Sequence, residues 1–173
     1  PPPPPSIYNP HPAYDIGGRL VASEMCIRAR SYVDNTIAWH ENNGSASFTE
    51  HTIATTADGP RNIRTADLDG DGDIDVLSAS FRDDKIAWYE NDGSQNFSDH
   101  TITSSADGAR TVFAADVDND GDVDVVTASS EDNTIAWYEN DGSQNFSQNV
   151  ITTTADGAFS AFATDLDRDG DMD

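Results

Sequence analysis

Cysteine and positive charge are both scarce in this chain of 173 residues. The single cysteine, Cys26, excludes an internal disulfide, although that count says little about the redox compartment. Nine Lys and Arg stand against 32 Asp and Glu, which gives a formal net charge of −23. Because phosphate repels such a charge, the sequence predicts no nucleic-acid partner and disfavours anionic membrane surfaces. It has no run of 18 apolar residues, so no direct membrane insertion of this segment is expected.

Aromatic residues make up 9% and hydrophobic residues 36%, which suits a β-rich core and argues against full disorder. The acidic residues are unevenly placed. Fifteen of the 32 fall in three nine-residue windows, 67–75, 116–124 and 165–173. Without these fifteen the net charge would be −8, which is ordinary for a soluble domain. The length suggests one domain or a piece of one.

The three acidic windows begin 49 residues apart, and other features keep the same period. The segment 86–98 recurs unchanged as 135–147, and an Ala-Asp-Gly triplet ends each unit. The period is also kept by a tryptophan and a phenylalanine, at Trp39, Trp88, Trp137, Phe48, Phe97 and Phe146. The chain is therefore built of internal repeats.

Each repeat has the pattern of β-structure, and no segment shows a convincing helical period of apolar residues. In one unit, short strands are predicted over 110–115, 123–129, 134–139 and 146–153. The sequence Asn140-Asp141-Gly142 is a hairpin signal between the last two. Four short strands in a repeat of 40–50 residues are typical of a propeller blade. We therefore predict an all-β fold, a partial β-propeller of four-stranded antiparallel blades.

The repeat region is predicted to span 31–173. It divides into a partial blade (31–59), two blades (60–108 and 109–157), and an opening strand with its loop (158–173). Because a closed propeller needs at least four blades, we expect a fragment of a longer protein. Residues 1–30 do not join the pattern and begin with five prolines. We interpret them as a linker or an artefact, expected to be disordered.

The acidic windows share the pattern Asp-x-Asp-x-Asp-Gly-x-x-Asp, which suits a metal loop. Alternate carboxylates can converge on Ca²⁺, which takes six to eight oxygen ligands, and a glycine at position 6 permits a sharp turn. The residue at position 7 can add its backbone carbonyl. Mg²⁺ is less suitable because it prefers a small octahedral shell, and the lack of His and Cys disfavours Zn²⁺ and Cu²⁺.

Two alternatives to this calcium loop fit the sequence less well. An EF-hand needs Glu at position 12 and flanking helices, but Ser78 and Thr127 stand there, within predicted strands. A solvated turn without an ion is also weak, because two carboxylates about 5 Å apart repel by roughly 3 kcal/mol at an effective dielectric near 20.

This motif within a 49-residue β-repeat resembles the FG-GAP/VCBS repeat family, which includes the calcium-binding blades of integrin α-subunit propellers. The resemblance covers about 31–173, although the FG and GAP signatures themselves are degenerate. It implies a propeller, usually of seven blades, with Ca²⁺ in the loop between the first two strands of a blade. The side-chain ligands that it implies are Asp67, Asp69, Asp71, Asp75, Asp116, Asp118, Asp120, Asp124, Asp165, Asp167, Asp169 and Asp173. Asp73, Asp122 and Asp171 would bind through their carbonyls.

Other chemistry has weaker support in the sequence. A glycosidase pair of carboxylates would not be expected three times over. His51 and His100 are equivalent in the repeat, but Asn149 replaces them in the third unit, so a surface strand position is favoured over a ligand. The tryptophans are expected to pack between blades. Tyr89 and Tyr138, opposite to them by strand alternation, are predicted to be exposed on a binding rim.

We therefore expect a non-catalytic, calcium-binding module, secreted or at the cell surface, that acts as an adhesion or recognition scaffold. Its partners would be proteins or glycans. An accessory propeller of a secreted polysaccharide-acting enzyme remains open, because both hypotheses predict the same sites. The fold alone does not decide between them.

Overall fold

The computed structural model describes residues 27–173 apart from 43 and 46. This part of the chain forms eleven strands and no helix, so it contains no helical membrane span. The strands are β1 (Ile27–Ser31), β2 (Thr36–Asn42), β3 (Phe48–Ala54), β4 (Pro60–Ala66), β5 (Asp75–Ser80), β6 (Lys85–Asn91), β7 (Phe97–Thr103), β8 (Ala109–Ala115), β9 (Asp124–Ser129), β10 (Thr134–Asn140) and β11 (Phe146–Thr152).

The strands form three antiparallel sheets in which each strand pairs with its neighbour in sequence. The first sheet holds β1–β3, the second β4–β7 and the third β8–β11. In the third sheet, the four observed strands agree with the predicted ones to within one residue at each end. The prediction of an all-β fold with four-stranded blades is confirmed, and the structure is consistent with part of a β-propeller.

The second strand of each four-stranded blade, β5 or β9, is covered on both faces. Every residue of β5 and β9 is buried, whereas most side chains of the outer strands β7 and β11 are exposed or half-buried. One apolar cluster, including Trp88, Val112 and Tyr138, lies between the second and third sheets. Another, including Ile37 and Tyr89, lies between the first and second. The blades are therefore held together by cores that lie between sheets.

This arrangement corrects one prediction and confirms another for Trp88, whereas Trp39 and Trp137 are half-buried. Tyr89 and Tyr138 were predicted to be exposed, but they are 1% and 3% exposed. Strand alternation places them opposite the tryptophans as expected, yet a second blade covers that face as well. Trp88 is 3% exposed and packs between blades, as predicted.

A repeated hydrogen bond fixes the end of each unit, where the chain passes to the next. The turns between β1 and β2, between β5 and β6 and between β9 and β10 are equivalent in the repeat. The residue at the end of each turn has a left-handed backbone, with φ of 60° at Asn35, 54° at Asp84 and 59° at Asn133. Its side-chain Oδ1 accepts the N–H of the glycine in the following Ala-Asp-Gly triplet. The distances are 3.1 Å to Gly59, 2.9 Å to Gly108 and 2.9 Å to Gly157. The triplet is thus the joint between units.

Two predicted boundaries of the repeat region differ from the structure. The repeat begins before residue 31, because β1 starts at Ile27 and pairs with β2 in the register of the repeat. Residues 1–26 lie outside the described part of the chain. Over 158–173 the predicted opening strand is absent. Thr164 and Asp173 pair there through two backbone hydrogen bonds, and no strand is formed over these residues.

Candidate metal centre

The acidic windows form loops at one end of the sheets. The first joins β4 to β5 and the second joins β8 to β9, so that the last Asp of each window is the first residue of the second strand. The third window, 165–173, forms the equivalent loop. Repetition of the blade therefore places the three loops at equivalent positions in successive units.

Carboxylates at the start of each loop fold it by accepting backbone N–H groups. Asp67 accepts from Gly70 at 2.9 Å and from Gly72 at 3.0 Å, and Asp69 accepts from Asp71 at 3.1 Å. Asp116 and Asp165 accept equivalent bonds in the other loops. The glycine at position 6 has φ of 94°, 99° and 102° in the three loops. This left-handed region explains the requirement for glycine at that position.

The last Asp of the loop ties it to the third strand of the blade. Asp75 is fully buried, and its two oxygens accept the N–H groups of Leu68 and Asn91, both at 2.9 Å. Asp124 is equally buried and accepts from Val117 and Asn140, both at 2.8 Å. These two carboxylates hold the shape of the loop in addition to any ligand role.

Three carboxylates of each loop converge. In each group, one oxygen per residue lies within 4.8 Å of the others; the groups are Asp67, Asp69 and Asp71, then Asp116, Asp118 and Asp124, then Asp165, Asp167 and Asp173. The remaining predicted side-chain ligands, Asp75, Asp120 and Asp169, are outside these groups. Converging carboxylate oxygens are the donors that a hard divalent cation prefers, so the residues present fit Ca²⁺.

The residues predicted to bind through their carbonyls direct their side chains elsewhere. The carboxylates of Asp73 and Asp122 lie against Gly93 and Gly142, in the turns that follow the third strands. A Cβ at either glycine would collide with the carboxylate. The carboxylate of Asp171 accepts from Asn119 Nδ2 at 3.3 Å. The carboxylates of these three residues therefore lie outside the converging groups.

The converging carboxylates have no cationic partner among the described residues: none of the fifteen Asp forms an ion pair with Lys, Arg or His. Burial, and then the charges of Asp69 and Asp71, raise the pKa of Asp75 to about 6. Burial and neighbouring carboxylates also raise the pKa values of Asp69, Asp118 and Asp124. The loops thus concentrate negative charge that a cation would neutralise.

Sequence reasoning missed two asparagines that support the loops. Asn91 and Asn140 end the third strands and donate their backbone N–H groups to Asp75 and Asp124. Their side-chain amides donate to the carbonyls of Ile74 and Val123, at 3.2 Å each. The signal was present as the repeated Glu-Asn-Asp-Gly at 90–93 and 139–142, which we interpreted only as a hairpin turn.

Comparison with family models gives a match over most of the chain. A search of curated protein sequences found no match. The family model described as FG-GAP-like repeat matches residues 24–78, 67–127 and 116–173. These matches overlap at the first and second acidic loops and together cover most of the chain, including β1. With its 49-residue β-repeat, this chain belongs to the FG-GAP-like repeat family.

Proposed function

We propose that this β-propeller-type repeat module is a calcium-stabilised recognition scaffold that works outside the cell. The observation that carries the proposal is the threefold recurrence of three converging carboxylates without a cationic partner among the described residues. A single acidic turn could be incidental. Three loops that share the hydrogen bonds from position 6 to position 1 and from position 2 to position 9 are better explained by a shared ligand.

Asp67 and Asp69, with their counterparts in the other loops, would hold the ion. Bound Ca²⁺ would supply positive charge that offsets the repulsion among these carboxylates. The chain itself supplies the loop shape, because the N–H groups of Gly70, Gly72 and Leu68 already orient carboxylates of the first loop. The expected result of binding is a stiffer loop at that end of each blade.

The proposed location follows from the affinity that such loops would have. At a site affinity near 0.1 mM and with millimolar Ca²⁺ in the medium, each site would add about 1–2 kcal/mol to the free energy of unfolding. The same sites would be empty at cytosolic calcium concentrations. We therefore propose a secreted or cell-surface module, in which proteins or glycans bind to the loops and no residue is catalytic.

The test is thermal unfolding of the full 173-residue chain with Ca²⁺, with Mg²⁺ and with chelator, together with calorimetric titration of Ca²⁺. The proposal expects two or three sites and a melting temperature that rises more with Ca²⁺ than with Mg²⁺. A circular-dichroism spectrum in chelator establishes that the protein is folded. A β-rich, cooperatively unfolding protein that ignores Ca²⁺ would refute the proposal.

A further inference from the structure

Asn140 contacts two acidic loops at once. It is fully buried at the end of β10. Its backbone N–H donates to Asp124 in the second loop, and its side-chain amide donates to Val123 O of the same loop at 3.2 Å. The same amide nitrogen also donates to Leu68 O, in the first loop, at 3.1 Å. One rigidly held side chain therefore spans two blades.

Both ends of this bridge lie at predicted ligands. Leu68 stands between Asp67 and Asp69, two members of the converging group of the first loop, and its own N–H is held by Asp75. Asp124 belongs to the converging group of the second loop. Ion binding in the first loop would therefore act on the Leu68 carbonyl that is bonded to Asn140. Ion binding in the second loop would act on the Asp124 side chain that is bonded to the same residue.

The side-chain oxygen of Asn140 is also occupied, because Oδ1 accepts the N–H groups of Gly142 at 3.2 Å and Gln144 at 3.1 Å. These bonds fix which end of the amide is the donor, since an exchanged amide would point its NH₂ group at two N–H groups. The amide cannot turn away from Leu68 without losing them. The bridge is thus held from both ends.

We propose that Asn140 is a positioning residue that couples calcium binding at the first and second loops. The inference rests on the proposed function, which it deepens by naming how two sites influence each other. Filling the first loop would fix the position of the Leu68 carbonyl, and the bonds of Asn140 would transmit that position to Val123 and Asp124. By thermodynamic linkage, filling the second loop must favour the first by the same factor.

The chain contains a matched control in Asn91. Asn91 makes the same bonds within its own blade, to Asp75 Oδ1 and Ile74 O, and its Oδ1 accepts from Gln95. Within the described residues it has no hydrogen bond to the loop of another blade. The two asparagines therefore share their local role, and of the two only Asn140 is hydrogen-bonded to a second loop within the described part of the chain.

The experiment follows the backbone amide of Gly121 by NMR in the full chain during Ca²⁺ titration, which reports on the second loop alone. The first loop is disabled with Asp67→Asn and Asp69→Asn together. Coupling predicts that this change weakens calcium binding at the second loop by about threefold to tenfold, the value of roughly one hydrogen bond. In an Asn140→Ala background the effect should fall below about twofold, whereas in Asn91→Ala it should persist.

The outcomes separate the two proposals. If no loop responds to Ca²⁺ in a folded chain, the calcium proposal fails and the coupling fails with it. If both loops bind but disabling the first leaves the second unchanged, only the coupling is refuted. That comparison needs no change at Asn140, so it holds even if Asn140→Ala does not fold. An effect of equal size in Asn140→Ala would also refute the bridge.

Discussion

The imidazole of His100 lies flat on the indole of Trp88, with ring centroids 4.7 Å apart and planes at 22°. His100 Nε2 is 2.8 Å from Glu90 Oε2, which holds the ring in place. His51 and Trp39 repeat this stack at 4.2 Å and 11°. In the third unit Asn149 occupies the same position and donates to Glu139 at 3.2 Å. Each of these histidines therefore stacks on the tryptophan directly opposite it on the neighbouring strand.

This relationship predicts a graded response at position 100. His100→Ala loses both the stack and the bond to Glu90, and we expect the free energy of unfolding to fall by about 1 kcal/mol. His100→Asn should lose less, because the third unit shows that Asn can bond to the same glutamate. Urea unfolding followed by tryptophan fluorescence measures both. The reciprocal variant Asn149→His provides the control, and equal losses for Ala and Asn would contradict the assignment.

In the first loop, the structural role of one carboxylate and the proposed ligand role of another can be tested separately. Asp71 is exposed, so Asp71→Asn should relieve repulsion and raise the melting temperature in chelator, while reducing the further rise caused by Ca²⁺. Asp75→Asn should instead lower the free energy of unfolding in chelator by about 1–3 kcal/mol. The reason is that one of the two N–H groups that donate to Asp75, from Leu68 or Asn91, would then face an NH₂ group. Thermal unfolding in chelator distinguishes them. Identical shifts of one sign would contradict these distinct roles.

Two glycines with similar backbones should respond differently to alanine. Gly72 has φ of 94° and open space around it. Gly72→Ala should therefore lower the free energy of unfolding only by the strain of a left-handed alanine, about 1–2 kcal/mol. Gly93 has φ of 74°, and the Asp73 carboxylate occupies the place of its Cβ. Gly93→Ala should therefore cost more, and Asp73→Ala should partly rescue it. Urea unfolding of the two single variants and the double variant checks this, and an absence of rescue would contradict the steric account.

Arginines and aromatic rings alternate along the ends of the blades away from the acidic loops. Arg61 lies over Tyr32 at 4.2 Å and over Phe81 at 4.9 Å, and Arg110 lies over Phe81 at 4.5 Å and over Phe159 at 5.5 Å. Because lysine lacks the planar group that stacks on a ring, Arg110→Lys should destabilise the chain by about 1 kcal/mol.

The matched control for this stack is Arg64→Lys. Arg64 is exposed, and among the described residues no aromatic ring lies under its guanidinium. Its replacement should change the free energy of unfolding by less than about 0.5 kcal/mol. Chemical denaturation of both variants is the measurement. An equal effect at the two positions would show that the ring contacts do not stabilise the blades.

Much of the fold could be predicted from the sequence because the same pattern recurs in each repeat. The Val- and Thr-rich segments and the Asn-Asp-Gly turns located the strands of the third sheet to within one residue. Exposure was harder to predict, since alternation cannot show that a second blade covers the Tyr89 face. The start of β1 was missed because Arg28 and Arg30 stand where the buried strand β5 has Leu77 and Ala79.

The acidic loops were evident from spacing, whereas their supports were not. The contact between Asp73 and Gly93, and the bridge from Asn140 to Leu68, join residues from different strands or blades. No local pattern contains such a pair. They follow from the distance between packed elements, which only the folded chain defines.

The joint between units also bears on how such a chain can change in length. In each unit the turn residue clasps the glycine that ends that unit: Asn35 accepts from Gly59, Asp84 from Gly108, and Asn133 from Gly157. A tandem duplication of any 49-residue stretch therefore copies one clasp and one glycine together, whatever its starting point. Blades can be gained or lost in evolution without leaving a joint half-made, and the same property would let a protein engineer insert or remove whole repeats.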